Sequence, residues 1–256
     1  MNHPQSFCTS SPIRTGLLLL ACLVPAAAST EQTPEPSRDL TPYVAEYKVK
    51  ISVLGGRLHT SFRATEYGYT AESVIEATGM SRLIAGGEIR ETSWFSADDG
   101  GIRPRQYRSI DMITKDHDNV SLDFDWDASR VTGLIDGEDF ETTIEGDVQD
   151  RVSLQYRLMH DLKNGGAQDT YTLQDAEELK LLEITQLGSK KVKVPYGEFE
   201  VIGIQHRRQG SSRVTTLWCA ADLDYLPVMI EQHRKGKLRM RALLAEYRPL
   251  SETAAR

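Results

Sequence analysis

Residues 43–53, Tyr43-Val44-Ala45-Glu46-Tyr47-Lys48-Val49-Lys50-Ile51-Ser52-Val53, decide how the chain folds. Tyr43, Ala45, Tyr47, Val49, Ile51 and Val53 fall on one side of an extended backbone, while Glu46, Lys48, Lys50 and Ser52 fall on the other. A period of two marks a strand with one dry face and one wet face. Gly55-Gly56 follows as a tight turn into Leu58 to Ala64, which predicts a hairpin. The pattern recurs with Val131 to Ile135 and Phe140 to Ile144 around Asp136-Gly137. It recurs again with Pro227 to Arg234 and Leu238 to Leu244 around Lys235-Gly236. Repeated hairpins build antiparallel sheets. The expected fold is mainly β, a curved antiparallel sheet or partly closed barrel of about twelve strands.

Two stretches break this rhythm. Gly79 to Gly87 is short, apolar and framed by glycine, and reads as a helical turn or a flap. In Asp150 to Lys163 the residues Val152, Leu154, Tyr156 and Leu158 also alternate, so periodicity leaves strand and helix open. Length decides for one substantial helix over 150–163, lying across a sheet. Fourteen residues exceed a usual strand, Asp150 can cap the start, Lys163 suits the last turn and Asn164-Gly165-Gly166 ends it.

Outward from this body, residues 1–28 carry one cation, Arg14, no acid, an apolar run from Leu17 to Val24, and then Pro25-Ala26-Ala27-Ala28. This is the form of a secretory signal peptide cleaved near Ala28, which predicts an exported, periplasmic protein. The apolar run is too short to span a bilayer, which takes roughly 20 residues. Leu19-Leu20-Ala21-Cys22 offers an alternative, a lipoprotein anchored at Cys22. Residues 29–42 hold three prolines and almost nothing apolar, the composition of a flexible linker. A single domain over 43–250 follows, with 251–256 as a tail.

The formal charge is −7. An acidic chain has no electrostatic attraction to nucleic acid. Cys8 and Cys22 leave with the leader, and the remaining Cys219 cannot form an internal disulfide, so stability must come from a packed core. Cys219 follows Trp218 and reads as a small buried hydrophobe.

No catalytic or cofactor motif stands out, and no cofactor or metal is expected. Asp116-His117-Asp118 has the composition of a solvated hairpin turn. His160-Asp161 ends a helix, with no second histidine one turn away to share a metal. Ser153 lacks the Gly-x-Ser-x-Gly setting of a hydrolase nucleophile. Pro104 and Pro195 are expected where strands begin, and Leu226-Pro227-Val228 in an edge strand fed by an acidic turn.

These landmarks occur in a distinctive order: Tyr43-x-x-x-Tyr47, Pro104 after Gly101-Ile102-Arg103, Phe124-Asp125-Trp126, Gln149-Asp150 followed by Ser153-Leu154, Val194-Pro195-Tyr196-Gly197, Trp218, and Asp222 to Val228. Across nearly all of 43–250 the chain resembles the DUF3108 family of bacterial envelope proteins, which has no assigned activity. The resemblance implies an exported, mainly β protein with a curved antiparallel sheet and a helix, loosely similar to periplasmic lipoprotein carriers. It supplies no catalytic residues.

The functional expectation is a binding protein that shelters an apolar ligand such as a lipid in a β-rich cavity. Trp126, Tyr156, Trp218 and the 79–87 flap would line it, with the helix as a lid. The alternative is an interaction module that holds another envelope protein. A weaker one is a hydrolase of an envelope polymer using paired acids such as Asp111, Asp125 or Glu178.

Overall fold

In a computed structural model of the chain, residues 40–98, 100–113 and 119–250 are described. The expected signal peptide, the alternative lipobox at Cys22, most of the expected linker, the expected 251–256 tail and Asp116-His117-Asp118 lie outside them.

The described chain first lays down eight strands: β1 (Tyr43–Ile51), β2 (Leu54–Thr65), β3 (Gly68–Ala77), β4 (Glu88–Asp98), β5 (Gly101–Asp111), β6 (Val120–Asp125), β7 (Arg130–Ile135) and β8 (Glu138–Thr143). The short β9 (Val148–Gln149) and the helix α1 (Ser153–Lys163) follow. A second series closes the fold: β10 (Thr170–Asp175), β11 (Glu178–Val194), β12 (Gly197–Arg208), β13 (Arg213–Ala220), β14 (Leu226–Arg234) and β15 (Lys237–Pro249).

All fifteen strands form one sheet, ordered β8-β7-β6-β5-β4-β3-β2-β1-β15-β14-β13-β12-β11-β10-β9. Neighbours are antiparallel, except that β9 runs parallel to β10. The two meanders join where β1 pairs with β15, Tyr43 opposite Pro249 and Ile51 opposite Met240. The curved sheet is not closed. Its edges are β8 and β9, and side-chain bonds cross near the seam: Thr142 Oγ1 donates to the Glu177 carbonyl at 3.3 Å and Gln149 Nε2 to the Ile102 carbonyl at 2.8 Å.

The alternation in β1 is realised, with Tyr43, Ala45, Tyr47 and Val49 buried. Ile51 and Val53, expected on the dry face, are 44% and 90% exposed at the end of the hairpin. The turn itself falls at Ser52-Val53 rather than at the glycines. Gly55 and Gly56 instead belong to β2, where the Gly55 N–H donates to Ser81 Oγ at 2.9 Å and its carbonyl accepts from Thr78 at 3.0 Å. These two bonds hold a 3-10 turn at Gly79–Leu83 against β2, where a helical turn or a flap was expected. Asp136-Gly137 and Lys235-Gly236 are two-residue hairpin turns as expected, with positive φ at all four residues.

Three proline positions differ from expectation. Pro104 lies inside β5, beside a register shift between Trp94 and Phe95. Pro227 lies inside β14, an interior strand, beside a shift between Trp218 and Cys219. A bulge leaves one ladder position unpaired, so a residue without an N–H is tolerated there. Pro195 sits in the two-residue turn between β11 and β12.

Helix α1 lies within the concave face of the sheet, not across it as a lid. Tyr156 stacks on Phe62 at 4.6 Å between ring centroids and lies 5.3 Å from Phe95, while Leu154, Leu158 and Leu162 pack with Tyr171, Leu182, Ile204 and Leu217. A helix buried on opposite faces joins the two halves of the core. Its start is a reciprocal cap: Asp150 Oδ1 accepts from the N–H groups of Val152 and Ser153, both at 2.8 Å, and Ser153 Oγ accepts from the Asp150 N–H at 2.9 Å. Arg157 anchors the middle, bonding Asp161 at 2.9 Å and also Asp147. Its guanidinium lies over Gly101, where φ is +111° and a Cβ would stand 2.7 Å from Nη1.

Candidate functional site

Between α1 and the β10–β14 half of the sheet is an open cleft of about 540 Å³. The helix spacing builds one wall, because Leu154 and Leu158 are one turn apart and share a face. Leu173, Leu182 and Leu217 face them from β10, β11 and β13. Together these leucines make an apolar floor.

The mouth is cationic. Arg208, Arg213 and Arg234 stand at the ends of β12, β13 and β14, where the strands reach solvent. Arg208 is 3.6 Å from Glu178, whereas Arg213 and Arg234 make no ion pair among the described residues. Arg151 and Lys180, farther in, are both engaged by Asp175. Burial alone would raise the Asp175 carboxyl, but bonds from Lys180 and Arg151 outweigh it and hold the group below the usual carboxylate range. His206 is half-buried in the wall, and burial pushes its imidazole down to about 4, so it is neutral at neutral pH. The cleft therefore pairs an aliphatic interior with two unengaged guanidinium groups at its opening. Such a surface can hold an amphipathic anion without any covalent chemistry.

The three residues singled out from sequence are not brought together, and none lines this cleft. Tyr156 is 2% exposed in the aromatic core, its hydroxyl 3.1 Å from that of Tyr43. Burial raises its pKa well above the usual tyrosine value. Trp126 lies just beyond β6, stacked on Phe124 at 6.1 Å, with Nε1 donating to the Pro104 carbonyl at 2.7 Å. Trp218 lies on the face of β13 opposite Leu217, with Lys190 Nζ 3.2 Å above its ring and Nε1 donating to Glu231 at 3.1 Å. Its ring crosses Gly203, where a Cβ would be 2.7 Å from it. All three side chains are occupied by packing or hydrogen bonds.

The acids named for hydrolysis are also dispersed. Asp111 ends β5 at the β5–β6 loop, Asp125 ends β6 at the opposite rim near Arg130, and Glu178 is 3.2 Å from Lys180. Cys219 is buried, and burial pushes its thiol up to about 12. Ser153 is a buried cap residue.

The cleft residues carried a partial sequence signal. Leu154-x-x-x-Leu158 marks one helix face once the helix is granted, and Arg207-Arg208 and Arg213 flank a Gly-Ser turn. That Arg234 joins them depends on β13 pairing with β14, Arg213 opposite Arg234.

Fold and cleft together define an open antiparallel β-meander wrapped round an internal helix, with a ligand-sized opening beside that helix. The sequence profile of the family described as "Protein of unknown function (DUF3108)" matches residues 43–241, and the chain belongs to that family. A solved structure similar in fold is the β-barrel-like protein of domain of unknown function DUF1849 from Brucella abortus. It aligns at a TM-score of 0.55 and 13% identity, over 83% of this chain and 99% of that one. A candidate lipoprotein from Parabacteroides distasonis aligns at a TM-score of 0.33 and 11% identity, over 82% and 96% of the two chains. A candidate exported protein with a YmcC-like fold from Bacteroides fragilis aligns at 0.32 and 8%, over the same shares. No curated protein matches the sequence.

Proposed function

We propose that the chain is an exported binding protein of the cell envelope that holds an apolar ligand with an acidic end, such as a lipid, in the cleft beside α1. The observation that carries this reading is the pairing of a leucine floor with Arg213 and Arg234 at the mouth. An acyl chain would replace water against the leucines, worth about 0.8 kcal/mol for each buried methylene, while a carboxylate or phosphate would meet the two guanidinium groups. Export is supported by the leader read in residues 1–28.

Two observations weigh against the alternatives. The free edge β8 carries exposed Glu138, Asp139 and Glu141, and such charges discourage another strand from pairing. Of the acids considered for hydrolysis, Asp125 stands at one rim and Asp111 and Glu178 at the other, the last two on strands of different meanders.

The test is native mass spectrometry of the protein purified gently from its own envelope, with organic extraction, alongside titration with a fluorescent fatty acid. A stoichiometric amphipathic lipid is expected, as is fatty-acid binding weakened about tenfold or more by Arg213→Glu/Arg234→Glu. A clean apo mass together with no fatty-acid binding overturns the reading.

A further inference from the structure

One rim of the molecule combines protruding aliphatic side chains with unengaged cations. Its hairpins are hydrogen-bonded to one another. The Ser52 N–H donates to the Arg239 carbonyl at 2.9 Å, joining the β1–β2 turn to β15, and the Lys235 N–H donates to the Ser212 carbonyl at 3.1 Å, joining the β14–β15 and β12–β13 turns. The 3-10 turn of the β3–β4 connection docks on Gly55 of β2, as described above. These turns form a continuous arc.

Val53, Met80, Leu83 and Ile84 on this arc are 90%, 78%, 79% and 75% exposed. Single exposed aliphatics are ordinary, but four clustered on adjoining turns, where polar residues are usual, are not. Beside them Lys235, Lys237 and Arg239 are exposed and make no ion pair among the described residues, nor do Arg213 and Arg234. The whole chain carries a charge of −7, so this cationic arc runs against the sign of the molecule. The ends of the described fold lie at the opposite rim, where the Leu250 N–H donates to the Pro42 carbonyl at 2.8 Å. Neither end of the described fold covers the arc.

We propose that this rim docks on an anionic lipid bilayer, with Val53, Met80, Leu83 and Ile84 entering the headgroup layer and Lys235, Lys237 and Arg239 facing lipid phosphates. The charge is complementary to such a surface. The apolar groups are exposed aliphatics clustered on adjoining turns, and among the described residues the cations have no ion-pair partner that fixes their geometry, which suits a fluid surface better than a shaped protein face. The docking stands on the rim alone. If the cleft holds a lipid as proposed above, its mouth at Arg213 and Arg234 opens on this same rim, and docking would bring it to the headgroups.

Cosedimentation of the full chain with phosphatidylethanolamine–phosphatidylglycerol vesicles and with phosphatidylcholine vesicles tests the proposal. Binding is expected to the anionic vesicles only, weakening as salt screens the attraction. Lys235→Glu/Lys237→Glu/Arg239→Glu alters residues outside the cleft lining and should lower partitioning about a hundredfold, at roughly fivefold or more per cation. Lys191→Glu/Lys193→Glu/Arg248→Glu changes as much charge toward the opposite rim and should leave most of the binding. Met80→Ser/Leu83→Ser/Ile84→Ser, all at exposed positions, should lower it at least tenfold. No binding to anionic vesicles, an equal loss from the two charge-reversed variants, or unchanged binding of the serine variant overturns the docking, while fatty-acid titration of the same variants reports on the cleft independently.

Discussion

Asp150 shows at the scale of one residue how much a local motif can leave open. Its place before the helix made it a cap candidate, and it does cap α1, but sequence gave no sign that it would be wholly buried and also accept from Ser93 Oγ at 2.6 Å. Burial raises its carboxyl to about 6, against the bonds from Ser93, Ser153 and Val152, which favour the charged form. A carboxyl with a higher pKa folded than unfolded binds more protons in the folded state. Asp150 by itself therefore makes stability fall as pH rises from about 4 to about 6. His206 acts with the opposite sign over a similar range, because its folded value of about 4 lies below the unfolded one. The two partly offset, so the wild-type profile alone hides both. Asp150→Asn keeps an acceptor for the helix N–H groups and removes the titration. Urea unfolding should show the variant gaining stability relative to wild type between about pH 4 and pH 7, whereas a difference constant with pH would contradict a titrating Asp150. Asp150→Ala should cost about 1–3 kcal/mol at either pH through loss of the cap and of the Ser93 partner.

At the scale of elements, the ambiguity of residues 152–158 has a physical origin. Leu154, Leu158 and Leu162 face one wall of the core while Val152, Tyr156 and Met159 face the other, so apolar residues appear on both sides of the helix and mimic alternation. Length, the Asp150 cap and the Asn164-Gly165-Gly166 stop resolved it correctly. The prolines of β5 and β14 were misplaced for a related reason: a bulge depends on the partner strand, which a local reading does not contain. The internal position of α1 predicts a large effect from its aromatic anchor. Tyr156→Ala should cost about 3–5 kcal/mol in urea unfolding, from a cavity between Phe62 and Phe95, and Tyr156→Phe only about 1 kcal/mol, from the lost hydroxyl contact with Tyr43. A small loss for the alanine variant would mean that α1 is not part of the folded core.

For the whole molecule, the β1–β15 pairing joins the two ends of the described fold into one sheet. Neither meander buries its inner face alone: the first packs on Tyr156 and the second on Leu154, Leu158 and Leu162 of the same helix. Unfolding should therefore be a single transition. Trp94 and Trp126 report from the first meander and Trp218 from the second, so tryptophan fluorescence and far-ultraviolet circular dichroism should give coincident urea curves. Two separated transitions would show that the halves fold independently. Folding should also be slow for the size of the chain, since the closing contacts join residues near 43 and 249.

The sequence alone determined the mainly antiparallel β class, the Asp136-Gly137 and Lys235-Gly236 turns, the helix and the family, because a period of two, turn chemistry and capping act within a few residues. It undercounted the strands, about twelve against fifteen among the described residues, partly because β9 is only two residues long. Which aromatics would line a site was not legible, since Tyr156, Trp126 and Trp218 are taken up by neighbours that only register supplies. The cleft and the cationic rim were decided by tertiary structure: Arg213 and Arg234 are twenty-one residues apart in the chain and face each other only because β13 and β14 pair, and Val53 meets the cations of 235–239 only because β15 returns beside β1.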